Sequence, residues 1–286
     1  MALSDEDIKK SRQEALKNAG FKGKIAYFWE YYKIHLLVGI FCAIFFGALI
    51  HDIVTNKDYG FYAIMVNCYQ TVEEEDVESE FGTLADIDTN TYQVLIDLAT
   101  SLNLNTFDQY TIANSEKIMA ITASGDLDVI TSDADTFNYF ARSSMFYDFR
   151  DIMTEEELSR YEGHIYYIDQ AVIDAVNDGT YESEYASSNT SDESTDGMST
   201  IMESGDELSL STYTESEYIS PEDFVAPDPS EMENPIPVGI ICTDAPYINE
   251  LGLYQNRVPV VGVVASSKRV DLAIEFIDYL WDGAEE

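Results

Sequence analysis

The stretch DIDTNTYQVLID, residues 86–97, has oxygen-bearing side chains at a spacing that a calcium ion could use. Asp86, Asp88 and Asn90 match positions 1, 3 and 5 of an EF-hand loop. Positions 6, 9 and 12 carry threonine, valine and aspartate, where the loop needs glycine, a water-binding polar residue and glutamate. These departures favour the alternative that Asp88 or Thr89 caps a helix. We therefore predict no metal site here.

Motifs for enzymatic chemistry are missing from the sequence. Of its three histidines, His35 and His51 border an apolar run, and His164 follows a predicted helix end. No H-E-x-x-H, C-x-x-C, G-x-S-x-G, phosphate loop or dinucleotide fingerprint occurs. The many carboxylates have no spacing that would single out an acid–base pair. We predict that the protein is not an enzyme and needs no cofactor.

Acidic residues dominate the chain and are unevenly distributed. The formal net charge is −39, which disfavours binding to nucleic acid backbones. Residues 1–33 nevertheless carry seven Lys/Arg against five Asp/Glu, which leaves 8 basic and 49 acidic residues for the rest. A slightly basic head and a strongly acidic body indicate two different compartments.

The apolar run LLVGIFCAIFFGALI, residues 36–50, separates these two parts. Extended to residues 34–54, it is long enough to cross the roughly 30 Å hydrocarbon core of a bilayer. His35, His51 and Asp52 lie near the ends of this span, where polar groups cost least. An aromatic cluster precedes it, as at membrane interfaces: Tyr27, Phe28, Trp29, Tyr31 and Tyr32. A cleaved signal peptide and a buried core helix are the alternatives.

The charge asymmetry predicts the orientation of this span. Lys and Arg are enriched on its N-terminal side, which places residues 1–33 in the cytoplasm by the positive-inside rule. We therefore expect residues 34–54 to contact the lipid bilayer and everything after them to lie outside the cytoplasm. Within the head, residues 4–19 are predicted to be helical, with Ser4 and Asp7 at the start and Gly20 at the end.

Beyond the membrane, strand and helix patterns alternate. Strands are predicted at 61–69, 127–131, 235–242 and 258–266, with a weak candidate at 110–113. Helices are predicted at 91–102, where Val94, Leu95, Leu98 and Leu102 have helical spacing, at 118–123, around Phe137–Ala141 and from Ser267 onward. Thr154 and Glu157 form a capping-box pattern for a helix that begins at Glu155. This alternation predicts an α/β domain with a largely parallel sheet.

Residues 177–234 differ in composition from their surroundings. They contain 16 Asp/Glu, 18 Ser/Thr and no Lys or Arg. Such a segment has too few large apolar side chains to offset the entropy of ordering the chain. We expect a largely disordered acidic insert, which divides the α/β domain into residues 55–176 and 235–286.

The three cysteines give little information about redox chemistry. Cys42 lies within the apolar run and is interpreted as a packing residue. Cys68 and Cys242 both fall at predicted strand ends, and sequence alone cannot establish whether they are close enough to pair. Free thiols are the favoured alternative.

Two stretches resemble a known family. SEKIMAITASGDLDVITSDADTFNYFARSSMFYDF and GVVASSKRVDLAIEFIDYL are similar, in that order, to parts of the type II periplasmic solute-binding proteins. The likeness extends over roughly 108–170 and 236–282. With the acidic insert in place of a second lobe and a membrane span in place of a lipid anchor, the chain resembles a reduced, membrane-anchored relative of the kind found in clostridial-type bacteria.

This resemblance implies a ligand site where strands end. Ser132 and Asp133 would reach the sheet edge where the next helix begins, and free backbone N–H groups at a helix start attract polar ligand atoms. Asn67, Tyr69, Thr243 and Asp244 end other strands and complete the predicted site. The alternative is that Asp133 only caps the helix.

The implied function is extracytoplasmic binding of a small polar solute, or of a partner such as a membrane transporter or another membrane protein. The alternative is a structural or interaction module that keeps the fold but binds no ligand.

Overall fold

The computed structural model describes residues 20–55, 57–104, 108–181 and 219–284. The predicted helix at 4–19 and most of the acidic insert lie outside these residues. The chain divides into two compact units, Met1–Lys57 and Asp58–Glu286.

The first unit contains helix α1, Phe21–Thr55, which includes the whole predicted span. Its segment Tyr32–His51 has a mean hydropathy of 2.3, and none of it is buried. Among the described residues, one helix, near the N-terminus, is thus long and apolar enough to cross a membrane, a property that signal sequences share.

The second unit is a mixed α/β domain built on one six-stranded sheet. Its strands are β1 Asp58–Met65, β2 Tyr92–Asp97, β3 Val129–Asp133, β4 Ile165–Asp169, β5 Pro235–Ile241 and β6 Pro259–Val263. Its helices are α2 Glu74–Leu84, α3 Gln109–Ser124, α4 Ala134–Arg142, α5 Phe149–Ile152, α6 Glu155–Arg160, α7 Gln170–Asp178, α8 Pro246–Leu251 and α9 Val270–Asp282. A 3-10 turn at Pro229–Glu231 precedes β5.

The strands lie in the order β2-β1-β3-β6-β5-β4. Strand β1 pairs in parallel with β2 and β3, whereas the β3–β6, β6–β5 and β5–β4 pairs are antiparallel. The α/β class is confirmed, but the prediction of a largely parallel sheet is wrong. Strands β6 and β4 run against the other four, and an apolar run carries no information about strand direction.

Both faces of the sheet are covered by helices, because alternate residues of a strand point to opposite faces. On β1, Phe61, Ala63 and Met65 pack with α2 and α9 in one hydrophobic cluster. Tyr62 and Ile64 belong to a second cluster with residues of α3 and α4 on the other face. Since both faces are buried, β1 is apolar throughout most of its length, as predicted.

Two glycines let an aromatic ring lie against the middle of the sheet. Gly239 of β5 and Gly262 of β6 face Phe137 of α4. A Cβ atom at Gly239 would come within 2.5 Å of the Phe137 ring, and one at Gly262 within 2.9 Å. Phe137 stacks in turn on Phe146, with ring centroids 4.4 Å apart. The close approach of the Phe137 ring therefore requires glycine in both strands.

The turn between α3 and β3 has a clear physical cause. Gly125 ends α3 in the left-handed conformation, with φ of +72°, which glycine adopts without steric cost. Strand β3 follows almost at once and ends at Asp133, whose carboxylate accepts a hydrogen bond from the backbone N–H of Thr136 in the first turn of α4. Predicted strand 127–131 and helix 118–123 are both confirmed, with shifted ends.

Two element predictions are wrong. Residues 92–97 form strand β2, not a helix, because Val94, Ile96 and Leu98 alternate into the core beneath α2. The apparent helical spacing arises because Leu95 and Leu102 pack on the opposite face of the sheet. The weak strand candidate at 110–113 lies within α3. A short apolar run fits both the 3.6-residue repeat of a helix and the two-residue repeat of a strand, and only packing in the folded domain decides which of the two forms.

The capping box before α6 is confirmed in full. Thr154 Oγ1 accepts a hydrogen bond from the Glu157 backbone N–H at 3.3 Å, and the Glu157 carboxylate accepts one from the Thr154 backbone N–H at 2.7 Å. Each side chain satisfies a backbone group that the helix start leaves open.

Candidate functional site

The candidate site lies at one edge of the sheet. Strands β1, β2, β3 and β5 run in the same direction, so their carboxyl ends meet at this edge, here called the carboxyl edge. All six predicted site residues lie on it, in or just after β1, β3 and β5: Asn67, Tyr69, Ser132, Asp133, Thr243 and Asp244.

Asn67 and Asp133 are in direct contact. Asn67 Nδ2 donates to Asp133 Oδ2 at 2.7 Å and to Thr136 Oγ1 at 3.1 Å, and Asn67 Oδ1 accepts from the Leu102 N–H at 2.8 Å. Asn67 is 4% exposed and Asp133 is 2% exposed. Their polar atoms thus hold three segments of the edge together, and helix capping by Asp133 is confirmed.

Ser132 and Tyr69 have different surroundings. Ser132 is buried, and its hydroxyl donates to the Asp133 carbonyl at 3.2 Å. Tyr69 is 44% exposed, and the Arg257 guanidinium lies 4.8 Å from its ring centre. Arg257 also donates to the Asn67 carbonyl oxygen. Tyr69 therefore presents an aromatic and cationic surface next to the buried pair.

Thr243 and Asp244 lie after β5 and interact with other parts of the domain. Asp244 Oδ2 is 3.2 Å from His164 Nε2, and the Thr243 carbonyl accepts from Asn249 Nδ2 at 2.8 Å. Within the described part of the chain, no hydrogen bond joins this group to Asn67 or Asp133. The structure therefore brings the two groups to the same edge but not into contact.

Sequence reasoning missed a second polar cluster at this edge. Asp97, at the end of β2, forms an ion pair with Lys117 of α3 and accepts from Thr100 Oγ1 at 2.7 Å. Burial opposes ionisation of Asp97, but the bonds from Lys117, Thr100 and the Ala99 N–H outweigh it and lower its pKa. Because residues 91–102 were predicted to form a helix, Asp97 was not recognised as the end of a strand.

A buried ion pair joins the two stretches that carry the family resemblance. Asp128 is fully buried and accepts from Arg269 Nε at 2.9 Å, Ser267 Oγ at 2.6 Å and the Tyr62 N–H at 2.9 Å. Burial raises the pKa of Asp128, and its hydrogen bonds only partly offset this. The cluster links β1, β3 and the start of α9, so its role is structural.

Three cavities are described, and none is lined by the predicted site residues. One of about 360 Å³ lies between the segment 102–104, α3 and α4. One of about 270 Å³ lies between α4 and the end of α7, and Tyr139 and Arg142 line both. The largest of the three cavities, of about 820 Å³, lies beside β4. Its lining is rich in proline and includes Pro227, Pro229 and Pro237.

The stretch that partly matches an EF-hand loop has a different geometry in the structure. Asp88 accepts from the Asn90 N–H and the Thr91 hydroxyl in the turn before β2, and caps no helix. Because residues 92–97 are extended, they cannot wrap around an ion as an EF-hand loop does. In the described ranges, no three His, Cys, Asp or Glu side chains are grouped around one point.

Cys68 and Cys242 have free thiols, as favoured from the sequence. Cys68 Sγ is 3.2 Å from the Leu98 carbonyl oxygen, and Cys242 Sγ is 3.5 Å from that of Ile240. Burial raises the pKa of Cys68 to about 12 and also raises that of Cys242. Neither thiol has the thiolate character that nucleophilic chemistry needs.

The fold and site define a class of protein: an apolar N-terminal helix and a separate mixed α/β domain with a polar carboxyl edge. Comparisons with protein-family models, curated proteins and solved structures found no match.

Proposed function

We propose that this chain is a single-pass membrane protein whose α/β domain binds a small polar solute outside the cytoplasm. Helix α1 would anchor the chain through residues 34–54, with residues 1–33 in the cytoplasm. A membrane transporter or another membrane protein is the proposed neighbour of the domain. The fold proposed for the domain is a single lobe of the type II solute-binding family.

The observation that carries the solute-binding proposal is the convergence of four strand ends at the carboxyl edge. Ligands of open α/β sheets gather at this edge, because loops and helix starts there present backbone N–H groups and polar side chains. Tyr69 and Asp244 supply an exposed aromatic ring and an exposed carboxylate at this edge, and the partly buried Arg257 and His164 lie next to them.

A thermal-shift screen tests the proposal. The full chain in lipid nanodiscs would be heated with sugars, amino acids, short peptides and organic acids. A true ligand at 100 times its dissociation constant stabilises the folded state by about 2.7 kcal/mol. A concentration-dependent rise in the unfolding temperature with at least one solute is the expected result. No shift with any compound would overturn solute binding.

The second candidate is an interaction module without a ligand, and the Asn67–Asp133 network favours it. Their polar atoms are already paired within the protein, so little is left there for a solute. Under this alternative the thermal-shift screen stays flat, and crosslinking in intact cells captures a membrane protein through the exposed side of the edge at Tyr69.

A further inference from the structure

Helix α3 carries an exposed apolar face. Its Tyr110, Met119 and Ile112 side chains are 80%, 63% and 46% exposed. Leu104 and Tyr139 are also exposed, and together with Ile112 they line the cavity of about 360 Å³ beside this helix. These five account for half of the ten large hydrophobic side chains that the described part of the α/β domain exposes. An apolar surface concentrated in this way is typical of an interaction site.

The middle of this face is formed by small residues. Ala113, Ala120 and Ala123 are exposed, and their spacing of seven and three residues places them along one side of the helix. Ile112 and Met119, also seven residues apart, border the alanines on one side. Alanine lets two helix backbones come closer than a large side chain does, towards the short end of the usual interaxial distance of about 8–10 Å. The exposed face therefore has the form of a helix–helix packing surface.

The sequence of α3 is complementary to itself about a two-fold axis. In an antiparallel pair centred on the midpoint of the helix, Ala113 of one copy lies opposite Ala120 of the other. Ile112 of one copy then lies between Met119 and Ala123 of the other. The apolar side of the face thus meets itself, as a two-fold interface requires.

The charge of this face favours a second copy of the chain as its occupant. Glu116 and Lys117 are the charged residues of α3, so the helix carries no net charge. They flank the two-fold axis, so that each lies at the level of the opposite charge in the second copy. A chain with a net charge of −39 is repelled by its own copies wherever acidic surfaces would meet, whereas a basic partner would be drawn to those surfaces. The α3 face lets two copies meet without bringing net charge into contact.

We propose that two copies of this protein associate through α3 as an antiparallel, two-fold-symmetric pair. The alanines form the centre of the interface, and Ile112 and Met119 pack beside them. Leu104 and Tyr139 extend the apolar contact. This inference does not depend on solute binding, because none of the residues predicted at the strand ends belongs to the interface.

The mass of the detergent-solubilised full chain tests the proposal. Size-exclusion chromatography coupled to light scattering, over a series of protein concentrations, should give the mass of two chains. Ala120→Arg puts a long, unpaired charge between the helices and should raise the dissociation constant of the pair at least about tenfold. Ser159→Arg is the matched control, since Ser159 is exposed on α6 and lies outside this face. Because both positions are exposed, both variants should fold, and the control should keep the mass of two chains.

Cysteine crosslinking in isolated membranes tests the antiparallel arrangement. The variants are made in a Cys42→Ser chain, which lacks the exposed native thiol. A chain with Ala113→Cys and a chain with Ala120→Cys, expressed together, should form a disulfide-linked pair on mild oxidation, because the two positions face each other. Either variant alone should link far less, because its two cysteines would be about 10 Å apart along the helix axis.

Several results would overturn the pair. These are the mass of a single chain at every concentration, a mass of two chains that Ala120→Arg leaves unchanged, and equal linking by either cysteine variant alone. A crosslink from Ala113→Cys to a different membrane protein would assign the face to that protein instead. A mass of two chains together with a flat thermal-shift screen would overturn solute binding and leave the pair standing.

Discussion

At the scale of single residues, the strand-end polar groups are mainly structural. Asn67 has a left-handed backbone, with φ of +61°, and its side chain bonds to Asp133, to Thr136 and to the Leu102 N–H. Such a conformation is uncommon outside glycine and costs energy that the side-chain bonds must offset. The Asn67 side chain therefore serves the fold, because its polar atoms are already used in hydrogen bonds within the domain and not left for a ligand.

Replacement of Asn67 by alanine should destabilise the domain. The change removes the bonds to Asp133 and Thr136 and leaves the buried N–H of Leu102 without its side-chain acceptor. We expect the free energy of unfolding to fall by about 2–4 kcal/mol. Urea unfolding of the detergent-solubilised chain, followed by tryptophan fluorescence, measures this change in the free energy of unfolding.

Asn256→Ala is the matched control for the Asn67 variant. Asn256 has nearly the same backbone conformation, with φ of +58°, but is exposed. Its substitution carries the backbone cost of alanine without the loss of a buried network. Equal destabilisation by the two variants would contradict the structural role assigned to the Asn67 side chain.

Asp97 should make the stability of the domain sensitive to acid. Its pKa is lowered in the folded state, so its contribution is present at neutral pH and is lost as pH falls below the unfolded value of about 3.9. Asp97→Asn should cost about 1–3 kcal/mol at pH 7. Urea unfolding of the variant and the natural chain measures the difference in their free energies of unfolding, and this difference should be smaller at pH 3 than at pH 7.

An exposed carboxylate provides the control for the acid-sensitivity prediction. Asp271→Asn removes the same charge from the first turn of α9, where the side chain is solvent-exposed. It should leave the stability difference between pH 7 and pH 3 nearly unchanged. A destabilisation by Asp97→Asn that is the same at both pH values would show that the Lys117 pairing contributes nothing.

At the scale of elements, helix α2 protects an edge strand. Strand β2 is at the end of the sheet, where unpaired backbone groups can recruit another chain. The Glu78 and Glu74 carboxylates of α2 accept from the backbone N–H groups of Ile96 at 3.0 Å and Leu98 at 2.9 Å. Two acidic side chains thus replace a neighbouring strand.

Removal of both carboxylates should expose this edge. We expect the double variant Glu74→Ala, Glu78→Ala to self-associate more than the natural chain does. Size-exclusion chromatography coupled to light scattering would detect this association for the detergent-solubilised chain. The control pair, Glu75→Ala with Asp76→Ala, removes the same charge from solvent-exposed positions of α2. If both double variants self-associate to the same extent, the cause is the loss of negative charge and not the exposure of strand β2.

Elements differ in how well their sequence predicts them. Local signals succeeded: the Thr154–Glu157 capping box and the apolar strands β1, β5 and β6 all form. Strand β2 was not predicted, because the spacing of its apolar residues also fits a helix. In the folded domain, alternate residues of this strand pack on opposite faces of the sheet.

The candidate site shows the same limit. The family resemblance placed the residues at the ends of β1, β3 and β5 on one edge, but it did not predict which of them are in contact. Asn67 and Asp133 are 66 positions apart, and Arg257 is 190 positions from Asn67. Contacts of this separation arise only from tertiary packing.

At the scale of the whole molecule, the charge distribution is consistent with the proposed topology. The basic head precedes an apolar helix, and the acidic remainder follows it. The same distribution supplies an experiment, because trypsin cuts after Lys and Arg whereas a glutamate-specific protease cuts in the acidic segment. Residues 182–218 contain many glutamates and no Lys or Arg.

Protease added to intact protoplasts should therefore cut selectively. We expect the glutamate-specific protease to cleave within 182–218, and external trypsin to spare the Lys/Arg sites of residues 1–33 until the cells are lysed. The chain should also stay in the membrane fraction after an alkaline wash, since about 20 apolar residues anchor it. Trimming of the head by trypsin in intact cells would reverse the orientation, because the positive-inside rule would then have failed for this chain. Release of the whole chain by the wash would instead indicate that α1 does not span the bilayer, and the proposed extracytoplasmic solute-binding function would lose its anchor.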